Sequence, residues 1–340
     1  MMLRLCLIFA LFFLNQSYLN ANNSIDLFVK SQQLQPLSKS SPLLDIANKG
    51  KKLIAVGERG HILVKSDKND WRQIESPTTS MLTKVFFLND RLGWAVGHDA
   101  TILHTADSGE SWSIQMSSTE IDKPFFDVLF FNPLDGVAIG AYGLFYRTSD
   151  GGMNWQQAFH ESLLFEDDIE YLADLKSTDN GLYLSERAFL LPHFNRLLLL
   201  SDNRLLLIGE SGLLAISSNQ GETFSKLAFS YDGSLFSAIE TKSGIYLMGL
   251  RGHLFKSNHS LSKWKKINIP TDASINNAFN HSGATYFVGN GGFVLRMSDE
   301  SKFEEIANLK GQNILALAAG NDDQFWSVGS MGVKEIANNK

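Results

Sequence analysis

Apolar and polar positions alternate along the chain in a unit that returns about every forty residues. In each unit one apolar run enters a tight glycine turn and a second apolar run leaves it, as at Gly140-Ala-Tyr-Gly143. The first glycines of these turns are Gly57, Gly97, Gly140, Gly209, Gly249, Gly289 and Gly329, at intervals of 40, 43, 69, 40, 40 and 40 residues. Repeats of roughly forty residues made of short strands are typical of propeller blades. The pattern predicts an all-β fold, a seven-bladed β-propeller with four-stranded antiparallel blades.

The two ends of the repeat array predict how the ring closes. The last repeat supplies three apolar runs, Ile314 to Ala318, Phe325 to Val328 and Val333 to Ile336, and lacks a fourth. Residues 25–30 form a strand-like run that has no blade of its own. We predict that this N-terminal strand closes the last blade as its outer strand, because closure removes exposed sheet edges. The alternative is an extended tail with no fixed partner.

The first 21 residues have the pattern of a secretory signal peptide: Arg4, an apolar run from Leu5 to Leu14, and a small residue, Ala21, at the end. The expected domain organisation is therefore a signal peptide over 1–21 and a single propeller over 22–340. Export is expected, to the periplasm first and to a lumen or the extracellular space as alternatives. The apolar run is shorter than the roughly 18 residues that a membrane span requires.

Charge and cysteine content exclude several kinds of chemistry. The formal net charge is −6, and it becomes more negative without Arg4, which argues against nucleic acid as a partner. Cys6 is the only cysteine and lies in the predicted signal peptide, so neither disulfides nor thiol chemistry are expected. The eight histidines show no metal-ligand spacing beside a cysteine or carboxylate. No catalytic, cofactor or metal site is predicted.

A second turn in the repeat has the form Ser/Thr-x-Asp-x-Gly-x-x-Trp. It is complete twice, at Thr105, Asp107, Gly109 and Trp112 and at Thr148, Asp150, Gly152 and Trp155. The Asp carboxylate can accept hydrogen bonds from its own turn, and the Trp can cover a blade junction. Because the motif recurs in successive blades, we interpret these carboxylates as structural rather than catalytic.

This turn resembles the Asp-box, or bacterial neuraminidase repeat. Together with the Gly-Trp-Ala-Val-Gly and Asp-Ser-Gly-Glu-Ser-Trp runs of residues 93–112, it makes residues 25–340 similar to the photosystem II stability and assembly factor-like family of exported propellers. The resemblance implies a non-catalytic scaffold that assembles or stabilises a membrane protein complex by binding a protein partner. It also implies an arginine-rich patch in photosynthetic members. The analogous turns here offer Arg59 and Arg251, so the patch is not carried over and another membrane assembly is favoured as the client.

The alternative function is a sialidase-like propeller that binds or hydrolyses glycans. Such enzymes resemble this fold and need an arginine trio for the substrate carboxylate, a Tyr–Glu nucleophile pair and an acidic proton donor. Arg147, Arg196, Arg204 and Arg296 lie in or beside strands in different registers, and the Phe-Arg-Ile-Pro run of that family is absent. No catalytic residue is therefore transferred.

One face of the predicted ring carries both the glycine turns and the links between blades, whereas the Asp-box turns lie on the other. The interval of 69 residues predicts an insertion at about 160–195 between blades three and four, with a short amphipathic helix near Glu166 to Leu175. Long loops in compact domains are usually functional or disordered. The insertion is expected either to bind a partner or lie over the channel, or else to cover blade edges. The candidate partner-binding residues are Glu58, Arg59, His98, Asp99, Tyr142, Glu210, Leu250, Arg251, Asn290 and Met331 in the turns and Glu166, Asp168, Tyr171 and Phe189 in the insertion.

Overall fold

The computed structural model of the protein describes residues 34–66, 69–299, 302–320 and 324–336. The predicted signal peptide, residues 1–21, and the predicted closing strand, residues 25–30, lie outside the described residues. Both therefore stay predictions.

Seven antiparallel sheets follow one another along the chain, and in each sheet the strands pair in sequence order. Blade 1 contains β1 (Leu43–Lys49), β2 (Lys52–Gly57), β3 (Ile62–Ser66) and β4 (Arg72–Ile74). Blade 2 contains β5 (Leu82–Phe87), β6 (Gly93–Gly97), β7 (Thr101–Thr105) and β8 (Ser113–Met116). Blade 3 contains β9 (Phe125–Phe130), β10 (Gly136–Gly140), β11 (Phe145–Thr148) and β12 (Gln156–Gln157). Blade 4 contains β13 (Phe194–Leu199), β14 (Leu205–Gly209), β15 (Leu214–Ser217) and β16 (Ser225–Lys226).

The remaining blades repeat this order. Blade 5 contains β17 (Leu235–Thr241), β18 (Gly244–Gly249), β19 (Leu254–Ser257) and β20 (Lys265–Ile267). Blade 6 contains β21 (Ile275–His281), β22 (Ala284–Gly289), β23 (Phe293–Asp299) and β24 (Lys302–Asn308). Blade 7 contains, within the described residues, β25 (Ile314–Ala319), β26 (Phe325–Gly329) and β27 (Gly332–Ile336). The predicted seven-bladed propeller is confirmed.

The first strand of each blade contacts the first strands of both neighbouring blades, which makes these strands the wall of a central channel. The second strands are buried along their whole length in blades 2, 3, 4 and 5. Both faces of each such strand are covered by adjacent blades, so nearly continuous apolar runs are required there rather than an alternating pattern.

Seven separate apolar clusters form the core, one at each junction between neighbouring blades. The cluster that joins blade 7 to blade 1 packs Leu43 and Trp71 against Ala316 and Val328. At the same junction the Asn48 amide donates a hydrogen bond to the carbonyl of Ala319. The ring is therefore closed through packing between its first and last blades.

The excursion between blades 3 and 4 contains two α-helices, α1 (Glu166–Thr178) and α2 (Asn180–Leu190), preceded by a turn of 3₁₀ helix at Glu161–Leu163. The predicted helix near 166–175 corresponds to α1, and the following apolar segment, for which the pattern predicts no element, forms α2. The predicted range of about 160–195 is slightly too long at its end, because β13 already begins at Phe194. Neither these helices nor the 3₁₀ turns in the described part of the chain have the length and apolarity of a membrane span.

Candidate partner-binding face

The turns between second and third strands lie on the same face as the links between blades, and we call this the turn face. In blade 1 the amide of Glu58 donates to the carbonyl of Pro42 at 3.0 Å. The turn is so close to the next link that a Cβ on Gly60 would come within 2.1 Å of the carbonyl oxygen of Thr78. Gly60 also has a positive φ of 71°, so glycine is required there on both grounds. These turns are thereby held in place by the links beside them.

The Asp-box turns lie on the opposite face, next to the turns between first and second strands. In blade 2 the amide of Ser108 donates to the carbonyl of Arg91 at 3.0 Å. The Asp107 carboxylate accepts hydrogen bonds from the Thr105 hydroxyl at 2.8 Å and from the Ser111 amide at 2.9 Å. Burial alone would raise the pKa of Asp107, but the hydrogen bonds from Ser111 and Thr105 outweigh it and lower the pKa to about 2.

The second Asp-box repeats this geometry. Asp150 accepts from the Thr148 hydroxyl at 2.8 Å and from the Asn154 amide at 2.9 Å, and the Gly152 amide donates to Thr148 Oγ1 at 2.9 Å. Trp112 packs into the junction of blades 1 and 2, and Trp155 packs against that of blades 2 and 3. These contacts use the motif carboxylates within their own turns.

The turn residues proposed from the sequence all lie on the turn face, one or two per blade. Arg59, Asp99, Tyr142 and Arg251 share the left-handed backbone conformation, with φ between 52° and 55°. Asp99 accepts a hydrogen bond from the Ser80 hydroxyl at 2.6 Å, and Asn290 accepts one from the Asn276 amide at 2.9 Å. Arg59 and Arg251 belong to blades 1 and 5 and form no common patch. The other turn residues are Glu58, His98, Glu210, Leu250 and Met331.

The insertion packs over the outer parts of blades 3 and 4. Leu163, Leu172 and Tyr183 join the core cluster of this junction, which also contains Phe145 and Phe224. Glu166 and Tyr171 are exposed and Asp168 is half-buried on α1. None of the described residues of α1 or α2 lines the cavity at the channel mouth, and the expectation that the insertion lies over the channel stays a prediction. The helices lie where the outer strands β12 and β16 are shortest and leave the junction to be covered.

A row of aromatic side chains runs across the turn face from the insertion to the channel. The Phe189 and Tyr142 ring centroids are 5.4 Å apart, those of Tyr142 and His193 are 4.5 Å apart, and those of His193 and Phe126 are 5.8 Å apart. The Lys123 ammonium lies 4.3 Å from the Phe189 ring centroid and donates to the carbonyl of Ala188. We call Phe189, Tyr142, His193 and Phe126 the aromatic row. Two of its members, Tyr142 and Phe189, were candidates from the sequence.

The channel opens on the turn face into a cavity of about 370 Å³. Charged side chains from four consecutive blades surround its wall: Asp45 with Lys84, whose Oδ2 and Nζ atoms are 2.9 Å apart, and Asp127 with Arg196, whose Oδ2 and Nε atoms are 3.6 Å apart. His98 and Phe126 also line this cavity. The structure therefore adds a charged channel mouth to the turn face that sequence reasoning did not identify.

A bulge in each first strand places these charged side chains. The register shifts by one residue at the same point in every blade, for example between Leu43 and Asp45 and between Leu82 and Lys84. A bulge re-aims the following side chain. A column twelve or thirteen positions before each anchor glycine contains the re-aimed residues, namely Asp45, Lys84, Asp127, Arg196, Ser237, Asn277 and Ala316. The charged residues in this sequence column were the signal from which the charged channel mouth could have been predicted.

Comparison with known proteins relates this chain to a family. Residues 62–164 match the family described as photosynthesis system II assembly factor YCF48. This protein resembles the photosystem II assembly factor family. The photosystem II stability/assembly factor HCF136 of Arabidopsis thaliana, named as chloroplastic, is 22% identical over 284 residues, covering 78% of this chain and 68% of that protein. The resemblance drawn from the repeat motifs is confirmed.

Two further members of the photosystem II assembly factor family show the extent of the similarity. The photosystem II assembly protein Ycf48 of Thermosynechococcus vestitus is 24% identical over 162 residues, which cover 35% of this chain and 45% of that protein. The match thus spans less than half of that relative's length. A structure titled YCF48 bound to D1 peptide aligns with a TM-score of 0.64 at 16% identity, covering 89% of this chain and 94% of that one. At that identity the structural likeness shows the fold.

Proposed function

We propose that the protein is an exported, non-catalytic β-propeller that binds a protein segment and acts as an assembly or stability factor for a membrane protein complex. The observation that carries the proposal is the aromatic row on the turn face. Support also comes from the similarity to the photosystem II assembly factor family, one member of which is titled as bound to a D1 peptide. By analogy, the partner here is a segment of a membrane-complex subunit.

The exposure of the aromatic row supports a binding role. Phe189 is 60% exposed and Tyr142 is 43% exposed, although both are large apolar side chains. Aromatic residues are enriched at the centres of protein interfaces, where they lose little conformational entropy on binding and bury much area. Exposed apolar patches with polar surroundings mark interaction sites. The Lys123 ammonium, packed on Phe189, helps to hold the ring in place before a partner arrives.

The positions of the arginines argue for the non-catalytic role. Arg147, Arg204 and Arg296 are paired with carboxylates of Glu222, Asp202 and Glu304, respectively, at separations of 3.8, 2.7 and 2.5 Å. Arg196 is the arginine that lines the channel cavity. A sialidase needs three arginines directed at one carboxylate, so this arrangement does not support the glycan-hydrolysing alternative.

The proposed location is the periplasm, on the basis of the signal peptide predicted over residues 1–21. This location places the propeller beside the membrane-embedded client that the proposal requires. The client is proposed to be a membrane-complex subunit, and the separation of Arg59 and Arg251 favours one that does not require an arginine-rich patch.

The test is capture of membrane-complex subunits from detergent-solubilised membranes by residues 22–340. Tyr142→Asn combined with Phe189→Ala should reduce capture at least about tenfold, because interface aromatics often contribute about 2 kcal/mol or more. Asparagine tolerates the left-handed backbone at position 142. The matched control is Met153→Ala, since Met153 is 82% exposed on the Asp-box face and should not affect capture. Equal capture by all three proteins, or turnover of a fluorogenic sialoside, would contradict the proposal.

A further inference from the structure

The guanidinium of Arg196 in the channel mouth has hydrogen-bond donors that no described group accepts. Within the described residues it makes the 3.6 Å ion pair with Asp127 and no hydrogen bond, and its Nε atom is buried without a hydrogen-bond partner. Its side chain is 24% exposed, and Arg196 lines the cavity. A guanidinium carries five N–H donors in a planar fork that matches a carboxylate. The group therefore has donors to offer to a ligand in the cavity.

The two neighbouring carboxylates already accept hydrogen bonds from backbone amides of their own or the next blade. Asp127 Oδ2 accepts a hydrogen bond from the Leu197 amide at 2.8 Å, and Asp127 Oδ1 accepts one from the Val128 amide at 2.9 Å. Asp45 Oδ2 accepts from the Val85 amide at 3.1 Å. Because these bonds fix both carboxylates against the blade junctions, neither can turn to satisfy the Arg196 fork.

Lys84 adds a second cation to the same side of the cavity. Burial, and next the positive charge of Arg196, lower the pKa of Lys84, and the charges of Asp45 and Asp127 only partly oppose this. The opposite wall of the cavity carries neutral groups such as Ser237 and Asn277, which bond to each other at 3.1 Å. The cavity is therefore polarised, with its cationic groups on one side.

An apolar approach leads directly to these cations. Phe126 belongs both to the cavity lining and to the aromatic row, and it lies on β9, between the strands that carry Lys84 and Arg196. A ligand lying along the row would bring its polar end to the cavity beside Arg196.

We infer that the channel mouth is a carboxylate-binding site in which the Arg196 fork and the Lys84 ammonium hold the carboxylate and Phe126 contacts an adjoining apolar group. The inference rests on the proposed function, because the carboxylate is taken to belong to the bound protein segment. The carboxylate is either the C-terminus of that segment or an Asp or Glu side chain within it, and both present the same two oxygens.

The test measures fluorescence anisotropy of three fluorescein-labelled peptides with residues 22–340. The first is Gly-Ser-Ala-Leu-Phe-Ala-Leu with a free C-terminus, the second is its amide, and the third is the amide with Asp in place of the last Leu. We expect at least one acidic peptide to bind about tenfold more tightly than the neutral amide, in line with a charge-assisted bidentate contact. The first peptide reports a C-terminal source and the third reports a side-chain source.

Two variants make the assignment specific. Arg196→Gln should abolish the preference for the acidic peptide, whereas Arg91→Gln, at an exposed arginine of the Asp-box face, should preserve it. If Arg196→Gln does not fold by circular dichroism, excess N-acetyl-phenylalaninate should displace the acidic peptide from the unaltered protein and N-acetyl-phenylalaninamide should not.

The inference is overturned if the neutral amide binds equally well, if the preference survives in Arg196→Gln, or if no peptide binds. If Arg196→Gln captures membrane-complex subunits as well as the unaltered protein does, the carboxylate site is contradicted and the proposed function is not. If the unaltered protein captures no membrane-complex subunit, the proposed function itself is contradicted.

Discussion

At the scale of single residues, polar side chains near the channel join neighbouring blades. The bulged residues Thr83, Asn195 and Asn276 of even-numbered blades each donate to the first carbonyl of the next first strand, at 2.6, 2.8 and 2.8 Å. In blades 1 and 3, Asp45 and Asp127 instead accept from backbone amides of the next blade, at 3.1 and 2.8 Å. A buried polar group left without a partner is costly, so these bonds explain why polar residues are tolerated in the channel wall.

His160 is a buried, neutral side chain that makes stability depend on pH. It lies between Phe145 and Phe224, with ring centroids 4.3 and 5.1 Å away. Burial, and next the charge of Arg147, lower the pKa of His160 from 6.5 to about 4. The unfolded protein therefore binds a proton at a pH where the folded protein does not, so this residue reduces the free energy of unfolding as pH falls from about 6.5 to 4.

We predict that His160→Phe flattens this part of the pH profile. The effect at pH 4 should be up to roughly 3 kcal/mol, from a pKa difference of about two and a half units. The measurement is the free energy of unfolding in urea at pH 7, 6, 5 and 4. His98→Gln, at an exposed histidine of the turn face, is the control and should retain the slope of the unaltered protein. An unchanged slope in His160→Phe would show that another group is responsible.

At the scale of secondary-structure elements, the insertion combines a structural layer with an exposed one. Acidic residues fill the first turn of α1, and the carboxylate of Asp179 caps α2 by accepting from the Leu182 amide at 3.0 Å. Both features stabilise helix N-termini. Leu172 and Leu175 are the buried residues of α1. The helices are therefore packed against the propeller and hold Phe189 at a fixed position.

Replacing residues 166–190 by a short Gly-Ser linker should separate these two roles. The replacement keeps Leu163, Leu164 and Leu191, which remain to cover Phe145 and Phe224. We expect a folded ring with a reduced free energy of unfolding, because Leu172, Leu175 and Tyr183 leave the junction. Capture of membrane-complex subunits should be lost together with Phe189. Size-exclusion chromatography and urea unfolding report the fold, and undiminished capture would contradict a binding role for the helices.

The sequence allowed only half of this insertion to be predicted. The spacing of Leu172 and Leu175 indicated α1, but Asn180-Gly181 reads locally as a turn, so α2 was not predicted. The Asp179 cap and the burial of Tyr183 stabilise α2, and burial against blades 3 and 4 depends on residues distant in sequence. Tertiary packing overrides local propensity in this way.

At the scale of the whole molecule, blade 7 links the end of the described residues to their beginning. Phe325 is fully buried and meets the ring of Tyr286 at 4.7 Å and that of Phe279 at 6.0 Å, both in blade 6. Val328 on the same strand packs toward blade 1. One strand thus contributes to both junctions that close the ring.

Phe325→Ala should lower the free energy of unfolding of the entire propeller by about 3 to 5 kcal/mol, because it leaves a cavity in a closed ring. Met331→Ala changes a half-exposed side chain of the same blade and should stay within about 0.5 kcal/mol of the unaltered protein. Urea unfolding followed by tryptophan fluorescence and by circular dichroism provides the measurement. Two separate transitions in Phe325→Ala, with blades 1–5 unaffected, would contradict coupling around the ring.

The ring itself could be predicted because each blade repeats the same local requirements. The anchor glycines and the apolar second strands recur in every unit, and the complete Asp-box turn occurs in two of them, at Thr105 and Thr148, so several independent positions indicated one architecture. The channel mouth could not be found in the same way, because Lys84 and Arg196 come from different blades and meet only after the ring closes. The bulge before each of them turns its side chain toward the channel, and no single repeat specifies which side chains meet there.

The helical pair between blades 3 and 4 has a geometric consequence for docking. A ring of seven blades with the same architecture offers a partner seven similar docking orientations. The shared architecture alone does not select one of them. The helices α1 and α2 lie between blades 3 and 4, and the cations Lys84 and Arg196 lie in blades 2 and 4. Rotating a partner by one blade around the ring therefore brings mismatched surfaces together. A bound segment is therefore expected to adopt a single orientation around the axis of the ring.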